Sequence, residues 1–173
     1  MIAIDTNILV YSRRPDSPNH AEALRILKVL AEGHQPWAIP WPCVYEFLRV
    51  VTHPKFFPKS AALDPVFDDL ASLLNSPTLV MLGEGPAHFR YLQAAVGAGN
   101  ARGNLAFDAH IAALAIEHGV TELWTADRDF RRFPGLTIRN PFVASDEVHE
   151  VRVRYRPRAG VSGAAGATSR RPR

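Results

Sequence analysis

With 173 residues, 47% hydrophobic and 21% charged, the chain has ordinary globular composition and enough length for one domain with a sizeable core. A single cysteine, Cys43, excludes an internal disulfide framework and a cysteine-rich zinc site; no apolar run nears the roughly 18 residues of a membrane span and no basic-then-apolar leader opens the chain, so a cytoplasmic protein is expected. The net charge of +3 is unevenly spread: residues 1–150 hold 13 basic against 17 acidic residues, and the rest holds seven arginines and no acid.

The opening "MIAIDTNILVY" reads as a short buried strand, Met1 to Ile4, leading into a turn or short helix. Asp5 interrupts the apolar run, and a carboxylate there is costly unless it is hydrogen-bonded, paired or metal-bound. Capping is the plain alternative. "DSPNHAEALRILKVLAEG" predicts a helix with Ser17 as N-cap, Pro18 at its first position, an apolar face of Leu24, Leu27, Val29 and Leu30, and Gly33 as its stop. "QPWAIPWP" predicts a short strand, and "PCVYEFLRVVTHP" a helix from Pro42 to Pro54 carrying Val44, Phe47, Leu48 and Val51. Glu46 lies on it. A third helix runs from Pro65 to Pro77, "PTLVML" is a strand, and "PAHFRYLQAAVGAG" is a weaker helix.

"NLAFDAHIAALAIEHG" predicts a helix capped by Asn104 and ended by Gly119, with Leu105, Ile111, Leu114, Ala115 and Ile116 toward a core. Asp108 stands one turn in. "TELWTAD" is a strand with Asp127 at its end, and "GLTIRNP" a last strand stopped by Pro141. Alternating strands and helices imply a mainly parallel sheet covered on both faces, whose ligands sit outside the carboxyl ends of the strands. The tail "AGVSGAAGATSRRPR" lacks apolar periodicity and is expected to be disordered, with polyanion binding as a second reading.

Asp5, Glu46, Asp108 and Asp127 brought to one sheet edge would repel one another, which makes little sense for stability alone. A hard divalent cation resolves the conflict, because Mg²⁺ takes carboxylate oxygens, water and substrate phosphate. Such a group suits phosphodiester hydrolysis, and Thr6 and Asn7 can hydrogen-bond the ligands. The histidines His53, His88, His110 and His118 are scattered and offer no better site, no nucleophile elbow supports a serine triad, and Cys43 is expected in the core.

"MIAIDTNILVY", "VYEFLRVVTHP", "GNLAFDAHIAALAIEHG" and "LWTADRDFRRFPGLTIRNP", in this order, resemble the PIN domain and, within it, the VapC group of bacterial toxin ribonucleases. The resemblance spans residues 1–142 and leaves 143–173 as an Arg-rich extension that the family does not require. It implies a three-layer α/β/α fold with a central parallel sheet, and a Mg²⁺- or Mn²⁺-dependent endoribonuclease held inactive by a VapB-like antitoxin. Asp5, Glu46, Asp108 and Asp127 match the family's acids, with Asp5 and Asp108 the firmest metal ligands. Thr125 matches the hydroxyl residue at the strand end, and Asp129 is auxiliary. The resemblance also implies RNA as substrate and a homodimer, and Arg13, Arg14, Arg49 and Arg102 are candidate phosphate contacts.

Two rivals remain at the sequence level. A phosphatase opening on a nucleophilic aspartate normally has a second acid two residues later, where this chain has Asn7. A non-catalytic PIN-like module that only holds RNA or protein is opposed by the presence of all four acids.

Overall fold

The structure, a computed structural model, describes residues 1–54 and 63–143. The chain opens with strand β1 (Ile2–Ile4), helix α1 (Thr6–Ser12) and helix α2 (His20–Glu32), followed by β2 (Trp37–Pro40) and α3 (Trp41–Val51). After the undescribed residues come α4 (Leu63–Leu74), β3 (Leu79–Leu82), α5 (His88–Gly99), α6 (Leu105–Glu117) and β4 (Glu122–Trp124). A 3₁₀ helix (Arg128–Arg132) and β5 (Thr137–Arg139) complete the fold. Among the described residues no helix is long and apolar enough to cross a membrane.

The elements follow the sequence pattern, with local corrections. Helix α2 begins at His20 with Asn19, not Ser17, in the N-cap position. The Ser17 hydroxyl accepts from the Asn19 N–H and the Ser17 carbonyl from the His20 N–H, so both are spent on a turn ahead of the helix. Its buried face is Ala23, Ile26, Leu27 and Leu30, the i, i+3, i+4, i+7 phase of an amphipathic helix. Leu24 and Val29 fall off that phase and are exposed. Asn104 precedes α6 but is itself helical and makes no side-chain cap. Asp127 lies beyond the end of β4, where it caps the 3₁₀ helix by accepting from the Asp129 N–H.

All five strands are parallel, in the order β3-β2-β1-β4-β5. Central strands of such a sheet are buried on both faces and read as apolar runs. Accordingly Ala3, Ile4, Trp37, Ala38, Ile39 and Leu123 are buried. The edges are short and more exposed, with Val80 on β3 and Thr137 and Arg139 on β5 reaching solvent, which blunts further strand pairing. Right-handed crossovers carry the chain one way from β1 to β3 and back past β1 to β4, which places α5 and α6 on the face opposite α1 and α2. Helix α1 packs on α2 and α3, and α5 on α6.

The strand order reverses between β1 and β4. Ile4 pairs with Trp124 there, and the Asp5 N–H donates to the Trp124 carbonyl at 3.0 Å. The crevice outside this switch point is where open α/β sheets bind ligands.

Candidate active site

Asp5 leaves β1 at that crevice and is only 5% exposed. It is the N-cap of α1, so the capping alternative holds, yet its carboxylate does more than cap. Oδ1 accepts from the Thr6 N–H at 2.7 Å and lies 3.8 Å from the Cys43 Sγ; Oδ2 accepts from the Thr125 hydroxyl at 2.7 Å and from the Asn7 amide. The Asn7 amide also donates to Thr125 Oγ1 at 2.8 Å, and its Oδ1 accepts from the Ala126 N–H. Thr125 Oγ1 therefore gives its one proton to Asp5 and accepts from Asn7 and from the Asp127 N–H, the full capacity of a hydroxyl. These bonds tie the end of β1 to the loop after β4 across about 120 residues of chain.

Thr6 performs the same service toward α3. Its hydroxyl donates to Glu46 Oε2 at 3.1 Å, while Arg49 one turn on reaches Glu46 Oε1 at 3.1 Å. The tripeptide Asp5-Thr6-Asn7 thus contacts two of the other site segments directly.

Asp108 lies in the first turn of α6, partly buried, and no hydrogen-bond donor reaches its carboxylate among the described residues. Burial, then the charges of Asp5, Asp127, Glu46 and Asp129, push its pKa up to about 8. Asp5 is pushed up to about 6, chiefly by burial, with Glu46 and Asp127 adding to the rise and the bonds from Thr125 and Thr6 opposing it. Asp108 and Asp5 thus both feel Glu46 and Asp127.

Asp5, Asp127 and Glu46 each act on the charge of Asp108, but among the described residues no group of three or more His, Cys, Asp or Glu is placed to hold a metal ion. All four are carboxylates, and Asp108 has no hydrogen-bond donor among the described residues. This chemistry fits a hard divalent cation. Asp129, the auxiliary acid, is half exposed and accepts from Arg132 Nε at 3.4 Å. Cys43 is fully buried, as its sequence position suggested, but it lies against Asp5 rather than in a purely apolar environment, and its thiol pKa is pushed up by burial and by Asp5.

The candidate arginines divide. Arg13 pairs with Asp69, Arg14 with Asp16 and Arg49 with Glu46; Arg102 has no acidic partner among the described residues. Sequence reading passed over Arg128 and Arg131, which line a cleft with Thr125, Asp127, Asn140 and Val143 outside the ends of β4 and β5. The signal was present as "DRDFRRF", basic residues interleaved with the last acids. Two of the scattered histidines also meet: the His88 and His110 rings are 5.0 Å apart, with His88 Nδ1 on Glu117 at 2.8 Å and His110 Nε2 on Glu84 at 3.1 Å.

The chain matches the PIN domain family model over residues 2–136. It is 32% identical to ribonuclease VapC48 of Mycobacterium tuberculosis over 138 residues, 80% of this chain and 95% of that one. To ribonuclease VapC43 of the same organism it is 34% identical over 141 residues, 82% of this chain and 95% of that one. Among solved structures, VapBC2 from Rickettsia felis bound to a promoter DNA fragment superposes with a TM-score of 0.57 at 24% identity, covering 81% of this chain and 98% of that one. VapC20 of M. tuberculosis, a toxin that cleaves the sarcin-ricin loop, superposes with a TM-score of 0.55 at 14% identity, covering 79% and 99%.

Proposed function

The chain belongs to the PIN-domain family and, within it, to the VapC ribonucleases, and from that premise we propose that it is the toxin of a VapBC-type pair, an endoribonuclease dependent on Mg²⁺ or Mn²⁺ that hydrolyses RNA phosphodiesters at Asp5, Glu46, Asp108 and Asp127. The observation that supports this reading is that Asp5, Asp127 and Glu46 all act on the charge of Asp108, which has no hydrogen-bond donor among the described residues.

Asp5 and Asp108 would hold the cation, with Glu46 and Asp127 completing its oxygen set. The bound ion would supply positive charge that makes a water a better nucleophile and that offsets charge on the departing oxygen. The chain's own part is orientation. Asn7, Thr125 and the Thr6 N–H hold the Asp5 carboxylate in one rotamer, and the Thr6 hydroxyl does the same for Glu46, the kind of outer support that fixes ligand geometry. Water attacks phosphorus in line, the bond to the 3′-oxygen breaks, and that oxygen takes a proton, leaving 5′-phosphate and 3′-hydroxyl ends. No covalent protein nucleophile is required.

The partners are a VapB-like antitoxin and a second copy of the chain. Apolar side chains suited to such contacts stand in solvent: Trp41 and Tyr45, stacked at 5.9 Å on α3, and Phe89 and Phe107, 77% and 67% exposed on the paired helices α5 and α6. The test is cleavage of total bacterial RNA with Mg²⁺, Mn²⁺ or EDTA, by wild type and Asp5→Ala. Discrete metal-dependent cuts that vanish in the variant support the reading; equal behaviour of the two proteins transfers it to a non-catalytic binding module.

A further inference from the structure

The 3₁₀ helix Arg128–Arg132 divides its side chains by charge. With three residues per turn, positions i and i+3 eclipse and stand in rows. Phe130 and Phe133 make the inward row, each 1% exposed, their rings edge-on at 6.1 Å, and the Phe133 N–H closes the turn on the Phe130 carbonyl at 3.1 Å. Asp129 and Arg132 make a second row and neutralise each other at 3.4 Å. The third row is Arg128 and Arg131. Both are exposed, and among the described residues neither meets an acid, a hydrogen-bond acceptor or an aromatic ring.

This row lines the cleft outside the ends of β4 and β5, which shares Thr125 and Asp127 with the candidate site. Asp127 forms no ion pair with either arginine, and its Oδ1 accepts from the Asp129 N–H instead. Asn140 lines the cleft too. Its Oδ1 accepts from the Phe142 N–H at 3.0 Å, which leaves Nδ2 as a donor with no acceptor among the described residues. Two like charges about 6 Å apart along the turn repel each other unless an anion lies between them. The guanidinium fork is the side chain best matched to phosphate oxygens, so two such forks and a spare amide donor form a place for a phosphate.

We propose that Arg128 and Arg131, with the Asn140 amide, hold a backbone phosphate of the RNA beside the scissile one, so that the strand crosses the ends of β4 and β5 to reach the acids. The proposal rests on the ribonuclease reading for the identity of the anion. Contacts of this kind position the strand without reading its sequence, and each phosphate neutralised makes binding more salt-sensitive. The two arginines bind substrate and take no part in breaking the bond.

The test is fluorescence anisotropy of two labelled 20-nucleotide RNAs, one of uridine and one of adenosine, with full-length proteins across a salt series. EDTA is present, so that no strand is cut and no cation bridges acid and phosphate. One variant carries Arg128→Gln with Arg131→Gln, and a second carries Arg128→Lys with Arg131→Lys. A third, Arg132→Gln, removes a charge of the same turn that already has an acid. All three side chains are exposed, so the fold carries the changes. The expected result is that the Gln pair binds both RNAs about tenfold more weakly at 0.1 M salt, with the plot of log K against log salt flatter by about 0.7 for each phosphate no longer neutralised. The Lys pair keeps the wild-type slope, and Arg132→Gln stays within about twofold of wild type. Unchanged affinity and slope in the Gln pair would overturn the proposal, as would an equal loss in Arg132→Gln or a wild type that binds neither RNA at the lowest salt. A loss confined to one of the RNAs would also overturn it, by making the cleft a reader of bases. Cutting is measured separately with metal on total bacterial RNA. Proteins that bind as described yet cut nothing would refute the ribonuclease reading and leave the phosphate cleft standing, whereas a Gln pair that binds and cuts like an active wild type would refute the cleft alone.

Discussion

Asp108→Asn should abolish cleavage and, in the absence of metal, make the fold more stable. Asp108 has a pKa near 8 against an ordinary 3.8, so at pH 7.5 the unfolded chain is ionised where the folded one is mostly protonated. The proton costs roughly 1.4 kcal/mol per pH unit above the ordinary pKa, an upper limit of about 5 kcal/mol. Partial exposure and screening reduce this to about 2 kcal/mol, which for a domain of this size is roughly 4–8 °C in Tm. A raised carboxylate pKa sets the sign: the penalty is absent well below the ordinary 3.8, where both states are protonated, grows as pH rises toward 8, and is constant above. Scanning fluorimetry in EDTA from pH 4 to 9 should therefore show wild type and variant melting close together at pH 4 and the variant higher at pH 8. Added Mg²⁺ should raise the wild type and leave the variant unmoved. A variant that melts below wild type at pH 8, or a gap that ignores pH, would refute the electrostatic account of the site.

Thr125→Val strips the Asp5 carboxylate of its hydroxyl donor and leaves the Asn7 amide and the Asp127 N–H short of an acceptor; a loss of about 1–3 kcal/mol is expected, with weaker metal binding by calorimetry. In native protein Cys43, fully buried and with its thiol pKa raised, should resist a thiol reagent that labels it quantitatively in denaturant; rapid native labelling would contradict its placement under Asp5. Gly99→Ala drives a methyl into the Phe133 ring where α5 meets the core, and denaturant melts should record a loss of about 1–3 kcal/mol.

Much of the fold was legible because apolar periodicity and Pro or Gly punctuation are local. Strand β2, bounded by its prolines, and α6, ended at Gly119, follow from nearby residues alone, and every strand expected from the pattern is present. The phase of α2 was not legible. Ala23 and Ile26 are core and Leu24 and Val29 are not, because which side of a helix faces inward depends on the sheet and on α1, which a local pattern does not contain. The histidines failed for the same reason: His88 and His110 are brought together by the packing of α5 on α6.

The candidate acids were identifiable from sequence because a carboxylate in an apolar run, or among Ala and Ile on a helix, is costly enough to need a reason. The sequence by itself therefore determined the chemistry available to this protein: four acids, a Thr-Asn pair beside the first, and a tail of arginines. Only the tertiary structure decided how they are wired. The strand order sets β1 beside β4, so Asn7 and Thr125, 118 residues apart, share one hydrogen bond; it equally decides that Arg13, Arg14 and Arg49 are engaged while Arg128, Arg131 and the chain exit at Val143 share one cleft. Propensity and period act over a few residues, whereas pairing between distant residues is settled when the sheet assembles and buries its faces.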